Sequence, residues 1–255
     1  SPLPVDQRRV RNVAFSMLCV PSGTFLMGTE VGRSYGADQE HPRHRVVISR
    51  PFQLAQMPIT QELYEAIMWV NPSHEKAPGH PVVRVNWFDA VRFCNTLSEL
   101  EGLSPAYLIS QGARPEVAFV AESKGYRLPL ESEWEYCARA RQAYRFSGGE
   151  DINEVGWVSS DELHTVGRKT SNPWGFYDMS GNVWEWCSDG LREYNSDAQL
   201  DPQGDLNTYM HTPGARVIKG GSWCFEPDGA RVAFRGRGAP GLRITSLGFR
   251  VARTL

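Results

Sequence analysis

Five groups of residues in this chain have types and spacings that could support chemistry. Within the stretch Asn-Pro-Trp-Gly-Phe-Tyr-Asp-Met-Ser-Gly-Asn-Val-Trp-Glu-Trp from Asn172 to Trp186, Asp178 and Glu185 bracket a turn with Gly181. Side-chain and main-chain oxygens that converge across such a turn suit a hard cation such as calcium. The competing reading is a turn held by hydrogen bonds, with Trp184 and Trp186 as core. Glu131, Glu133 and Glu135 resemble paired acid–base carboxylates. Catalysis, however, needs two carboxylates that converge on a cleft with separated pKa values. These three follow a Leu-Pro signal at a helix start, where the helix dipole ordinarily places acids. His41 and His44 stand three apart, but nothing else converges on them, so exposed imidazoles at a loop-to-strand boundary are expected. Five cysteines (Cys19, Cys94, Cys137, Cys187, Cys224) lack Cys-x-x-Cys spacing and are odd in number. That excludes a zinc knuckle and a regular disulfide framework, and it favours reduced thiols in a cytoplasmic setting.

The fifth group is the C-terminal stretch from Arg216 to Leu255. One set of positions there has the character of a frame: Gly220, Gly221, Ser222, Trp223, Pro227, Arg231, Arg235, Pro240, Arg243, Gly248, Phe249 and Arg250. Glycines allow close backbone approach, prolines fix φ, and arginines offer donors that tie loops to carbonyls and carboxylates. Between them lie Cys224, Phe225, Asp228, Gly229, Phe234, Gly236, Gly238, Ala239, Leu242, Ile244, Thr245 and Ser246, which share no chemistry. Neither helical nor strand periodicity links these twelve. A fixed frame around unrelated insertions describes a binding surface, since a catalytic site would favour titratable groups. Phe225, Phe234, Leu242 and Ile244 are expected to be exposed and to supply apolar contact area, with Asp228, Thr245 and Ser246 adding polar specificity.

These groups must be positioned by few regular elements. Ser16–Gly28 reads as two strands around a Pro-Ser-Gly turn, and residues 41–49 as another. Thr60 is the expected N-cap of a helix over Gln61–Val70, with Leu63, Ile67 and Met68 on one face. Asn86 or Asp89 starts a second helix, which runs through Leu100 with Val91, Cys94, Leu97 and Leu100 at 3–4 spacing. Arg127–Arg139 contains a third. With 24 Gly and 17 Pro in 255 residues, the remainder must be short strands and long loops. The hydrophobic fraction of 41% and eight tryptophans suffice for one large domain over 1–255. A formal net charge of −2 gives no footprint for nucleic acid. No apolar run approaches the ~20 residues of a membrane span, and the N-terminus shows no secretory pattern.

Gly-Gly-Ser-Trp at 220–223, then Pro227, Arg-x-Ala-x-Arg at 231–235, Pro-x-x-Arg at 240–243 and Gly-Phe-Arg at 248–250 form a specific combination. It resembles the C-terminal core of the formylglycine-generating-enzyme (sulfatase-modifying factor) family, and further matching pieces occur at Pro21–Gly28, Trp87–Leu97, Tyr126–Arg139 and Asn172–Trp186. The resemblance implies an α+β, C-type-lectin-like fold, loop-rich with short strands and a few helices. It also implies a calcium site made by Asp178, the carbonyls of Gly181 and Val183, and Glu185. Family oxidases bind copper through two cysteines five residues apart, which would fall here at Phe225 and Ala230. Cys224 lies one residue early and no cysteine follows it, so neither copper nor the oxidase activity is expected.

Within this fold, the C-terminal pattern resembles the variable proteins of diversity-generating retroelements, whose variation at template adenines yields residues with codons ending in C. Glu, Lys, Met, Gln and Trp are then excluded. All twelve irregular positions obey that rule, and Glu226 does not, which assigns it to the frame. The resemblance implies a non-enzymatic ligand-binding protein with a hypervariable surface within 216–255, whose partner is a protein or another macromolecule. The alternative is a divergent oxidase or maturation factor of the same fold without the copper-binding cysteine pair.

Overall fold

The computed structural model describes residues 1–30, 38–112, 115–204 and 214–255. Strands β1 (Val5–Val10) and β2 (Val13–Val20) form an antiparallel ribbon that turns at Arg11 and Asn12, both at positive φ. Strand β3 (Gly23–Met27) follows the Pro-Ser-Gly turn, then come β4 (His44–Ile48) and β5 (Phe52–Ala55). Helix α1 (Gln61–Met68) starts at Thr60, whose hydroxyl accepts the Leu63 N–H at 3.3 Å, and ends at Trp69 in the left-handed conformation. Helix α2 (Trp87–Leu100) opens on a reciprocal capping box. Asn86 accepts from the Asp89 N–H at 2.9 Å, and Asp89 accepts from the Asn86 N–H at 3.0 Å. Val91, Cys94 and Leu97 are buried on its inner face, whereas Leu100 remains exposed. The chain continues through β6 (Tyr107–Ile109), β7 (Val117–Phe119), β8 (Tyr126–Arg127), α3 (Glu131–Arg139) and the single turn α4 (Ile152–Val155). It ends with β9 (Trp184–Gly190), β10 (Gln199–Leu200), β11 (Arg216–Lys219), β12 (Gly236–Gly238), β13 (Leu247–Gly248) and β14 (Ala252–Thr254). Helix α4 was not expected, because four residues are too few to show a period.

Two relationships in the sheets position the C-terminal stretch. Strand β14 sits between β5 and β8 in the five-stranded sheet β1-β2-β5-β14-β8, so the chain end is locked into the N-terminal sheet. The four-stranded sheet β12-β11-β9-β13 is then built almost wholly from residues 184–248, with β9 central and buried at every position. Residues 220–246, loops apart from β12 and a short 3-10 turn at Pro227–Ala230, are therefore held at both ends. Their anchor on one side is Phe249, which meets Phe93 at 5.2 Å and 76°, while Phe93 stacks on Tyr64 at 5.4 Å. Rings of this size, fully buried, each contribute about 1.5–3 kcal/mol through the area removed from water. A second core surrounds α3, where Trp134, Tyr136, Trp174 and Phe176 pack on Val217, Val232 and Ala252.

Two expectations need correction. His44 is buried rather than exposed: its Nδ1 lies 3.1 Å from the Pro42 carbonyl oxygen, and its ring meets Tyr194 edge-on at 4.5 Å. Burial is the main cause that lowers its pKa. Glu131, Glu133 and Glu135 do have a structural role, but the helix dipole is not its main source. All three are buried and hold ion pairs, because α3 lies inside the molecule.

Candidate ligand-binding surface

The frame is made of buried cations from the C-terminal stretch, each set into a carboxylate from elsewhere. Arg235 forks onto Glu131 at 2.5 and 2.8 Å and donates to the Gln39 and Arg192 carbonyls at 2.8 and 2.9 Å. Arg231 forks onto Glu40 at 2.6 and 2.8 Å. Lys219 reaches Glu135 at 3.2 Å, and Arg139 meets the same carboxylate at 2.7 Å. Arg250 forks onto Glu185 at 2.7 Å through both nitrogens. Burial by itself would raise the Glu135 carboxyl, yet the charges of Lys219 and Arg139 and the Gly28 N–H bring it down to about 2. For Glu131 the same contest ends below its ordinary value, with Arg235 as the chief opposing charge. Pairs this deep are costly to leave half-made, so they fix which loop sits where.

Two glycines open the loops. Gly220 and Gly221 take φ of 95° and 72°, and a Cβ on Gly221 would lie 2.8 Å from the Ala230 backbone. The chain then returns over the 157–164 segment, where the Ser160 N–H donates to the Trp223 carbonyl at 2.7 Å and the Ser159 N–H to the Phe225 carbonyl at 3.0 Å. Trp184, buried at the start of β9, forms the floor. Phe225 meets its ring edge-on at 5.5 Å, and Phe234 meets it at 5.7 Å. Phe225 is 50% exposed above it.

The twelve irregular positions divide into three classes. Cys224, Phe225, Asp228, Ala239 and Thr245 are exposed, as expected of displayed residues. Phe234, Gly236, Leu242 and Ile244 are half-buried, and the three apolar ones pack against the core that contains Trp184 and Trp186. This corrects the expectation that Phe234, Leu242 and Ile244 are freely exposed. Gly229, Gly238 and Ser246 are buried. Ser246 serves the frame instead of polar specificity, since its carbonyl accepts the Trp184 N–H at 2.8 Å. A Cβ on Gly236 would approach Ile218 Cγ1 at 2.7 Å, and one on Gly238 would approach Trp186 Cη2 at 2.8 Å. Both therefore face inward on β12, and the intervening Arg237 is the exposed residue. Gly229 differs, because a Cβ there would make only ordinary contact with Trp184 at 3.5 Å. Asp228 is exposed but ion-paired, accepting from Arg231 at 2.7 Å and Arg145 at 3.1 Å, and the Arg231 hydrogen bond is the main cause of its lowered pKa.

Trp223, placed in the frame and expected to be buried, is half-buried beside Val83, Leu163 and Val183. Sequence reasoning missed Trp184 as the floor and Arg237 as an outward residue. A period-two reading of 236–238 could have found the second.

The residues proposed for calcium come together, but not as a cation cage. Both Glu185 oxygens are taken by Arg250, and Oε2 also accepts the Trp134 indole N–H at 2.7 Å. The Arg250 guanidinium already supplies the positive charge at this carboxylate, so the donor set does not fit a further cation. Asp178, at φ 54°, accepts the Gly167 N–H at 2.7 Å, and burial pushes its carboxyl up to about 6 against the opposing effects of that bond and of Arg250. Gly181 gives its N–H to the Gly220 carbonyl at 2.6 Å and accepts the Val183 N–H at 3.0 Å. Among the described residues, no group of three or more His, Cys, Asp or Glu side chains is arranged for a metal. All five cysteines are free, and Cys224 alone is exposed, with its sulfur 3.6 Å from the Ser222 hydroxyl. Of the two positions that match the family's copper thiols, Phe225 is exposed and Ala230 is buried.

Comparison with known proteins bears on the whole chain. The model of the sulfatase-modifying factor enzyme 1-like domain matches residues 4–255. "Chaperone protein LppX" of Paenibacillus barcinonensis is 28% identical, over 88% of this chain and 89% of its own length. The formylglycine-generating enzyme of Streptomyces coelicolor is 27% identical, over 91% of this chain and 87% of its own. Among solved structures, Treponema denticola variable protein 1 superposes with a TM-score of 0.88 at 29% identity, covering 100% of both chains.

Proposed function

The chain belongs to the sulfatase-modifying factor enzyme 1-like family, and we propose that within it this protein is a non-enzymatic binding protein whose C-terminal surface is diversified by a retroelement. The observation that carries this reading is the set of exposed residues, Cys224, Phe225, Asp228, Ala239 and Thr245, of unrelated chemistry, on loops pinned from beneath by buried ion pairs. A half-exposed phenylalanine on a buried tryptophan floor offers apolar contact area without disturbing the core. A rigid frame lowers the ordering cost of binding, so residues on it can change while the fold persists. The full-length likeness to a variable protein supports the same reading. The partner is a macromolecule, since the exposed positions spread over a surface rather than lining an enclosed cavity.

The second reading, an oxidase or maturation factor, draws on the enzymes in the family. Phe225 and Ala230 cannot act as a copper-binding thiol pair, and Cys224 has no thiol partner within bonding distance. A Cys-x-Pro-x-Arg peptide should therefore stay unoxidised when incubated with copper and the protein.

Sequencing the surrounding DNA in independent isolates tests the first reading. The expected result is a near-identical template repeat that differs at adenines, beside a reverse transcriptase gene, with variation at codons 224, 225, 228, 239 and 245 and constant frame codons. Invariant codons and no template repeat would overturn it.

A further inference from the structure

Beside the display surface lies a cleft of about 160 Å³ lined by His74, Glu75, Val83, Asp161, Glu162, Leu163, Trp223 and Thr245. Its floor is apolar, made of buried Val83 and Leu163 with the Trp223 indole against them. Its rim carries Glu75, Asp161 and Glu162, three exposed carboxylates. Among the described residues none of the three pairs with a lysine or arginine. The nearest lysine in sequence, Lys76, is turned away, with its ammonium on the carbonyls of Asn71 and Ser73 at 2.5 and 2.7 Å. Behind the rim, His164 stacks on Trp157 at 3.8 Å, and burial is the main cause that lowers its pKa, so it brings no charge to offset the carboxylates near neutrality.

We infer that this cleft receives a lysine or arginine side chain of a protein ligand bound at the adjacent display surface. The inference rests on the reading of that surface as a binding face, and it names the chemistry of one contact. Size excludes larger occupants, because drug-sized molecules fill pockets of roughly 300–1,000 Å³. Charge excludes acidic ones. An apolar floor beneath an acidic rim matches a side chain with an apolar stem and a cationic head. The stem lies on Val83, Leu163 and the indole, and the head meets the indole face and the carboxylates. Of the eight lining residues, Thr245 alone belongs to the twelve irregular positions. The cleft is thus constant apart from Thr245 at one wall, and its acidic rim would favour basic partners whatever the displayed residues are.

Indole N–H resonances of ¹⁵N-labelled protein provide the test, with Trp223→Phe used to assign the signal. The probes are N-acetyl-arginine amide, N-acetyl-lysine amide and the uncharged N-acetyl-norleucine amide. The cationic amides should shift the Trp223 signal and bind at least about tenfold more tightly than norleucine amide, with the preference weakened by added salt. Asp161→Asn combined with Glu162→Gln should abolish that preference while leaving the thermal transition in place, since both side chains are exposed. Equal binding of norleucine amide, no shift with any probe, or a preference that survives the double substitution would each overturn the inference. Those outcomes leave the display reading standing, because it is decided by the codons. A missing template repeat would remove the display reading without altering what the amides do.

Discussion

Arg250 and Glu185 meet in a two-point ion pair from which solvent is wholly excluded: Nε to Oε2 and Nη2 to Oε1 are both 2.7 Å, and each side chain is 0% exposed. The remaining donors reach the carbonyls of Ala55 and Gln56 at 3.0 and 3.2 Å and of Tyr177 at 2.9 Å. One guanidinium thus joins β9 to the chain after β5 and to the turn before Asp178. Removing one partner of such a pair costs about 3–5 kcal/mol, because the other charge stays buried. Glu185→Gln should therefore lower stability by that order in denaturant titration. Arg250→Lys should also fail to restore it, since an ammonium cannot reproduce the fork. A Glu185→Gln protein with the wild-type midpoint would show that the pair is dispensable.

The same geometry bears on metal removal. A ligand bound only to the folded state stabilises it by mass action. With Glu185 committed to Arg250, excess chelator should leave the melting temperature where it was, and calorimetric titration of calcium should give no heat of binding. A drop in melting temperature on chelation would restore the calcium reading for Asp178, Gly181, Val183 and Glu185.

Replacing the four apolar display candidates one at a time should reveal a gradient. Phe225→Ser is expected to change stability by no more than ~0.5 kcal/mol, as is usual for exposed positions. Phe234→Ser, Leu242→Ser and Ile244→Ser should cost more, since these side chains pack against the core. Phe249→Ala should cost about 3–5 kcal/mol, and the half-buried Trp223→Ala should cost less than that. Equal costs across the series, read from denaturant midpoints, would erase the distinction between frame and display.

Strand β12 offers a sharper contrast. Gly238→Ala would bring a methyl to within 2.8 Å of the fully buried Trp186 ring, and overpacking of this kind costs about 1–3 kcal/mol. Arg237→Ala, one residue away and exposed, should be nearly neutral. If the alanine at 238 were tolerated and the one at 237 were not, the inward and outward assignments of this strand would be reversed.

Asp189 governs a pH dependence. It is fully buried, its oxygens accept the Glu131 N–H at 3.2 Å and the Gly204 N–H at 3.3 Å, and burial, followed by the charge of Glu131, pushes its carboxyl up to about 8. A carboxyl raised in the folded state holds its proton more tightly there than in the unfolded chain. Its contribution is therefore complete below the ordinary value near ~4 and is lost as pH rises through about 8. Melting temperatures measured from pH 4 to 8 should include this decline, and Asp189→Asn should flatten it. An unchanged slope in the variant would assign the decline to other groups.

The sequence alone determined the elements and the frame chemistry. Thr60 and the Asn86/Asp89 capping box placed two helix starts, because a cap is a local hydrogen bond readable over four residues. The glycine pair at 220–221, Phe249, and the role of Arg235 and Arg250 in tying loops together were likewise legible, since residue type restricts what each can do. The family followed from motif order along the whole chain. What only the tertiary structure decided was partnership and direction. Nothing local indicates that Glu185 belongs to Arg250 rather than to an ion, or that Glu131 belongs to Arg235 across 104 residues of chain. Nor does a codon rule distinguish an outward residue from an inward one. Ser246, Gly236 and Gly238 satisfy it while facing the core, because facing is set by strand pairing and by the Trp184 and Trp186 rings beneath. Local physics fixes what each residue can offer, and burial and packing against distant segments settle which of those offers is used.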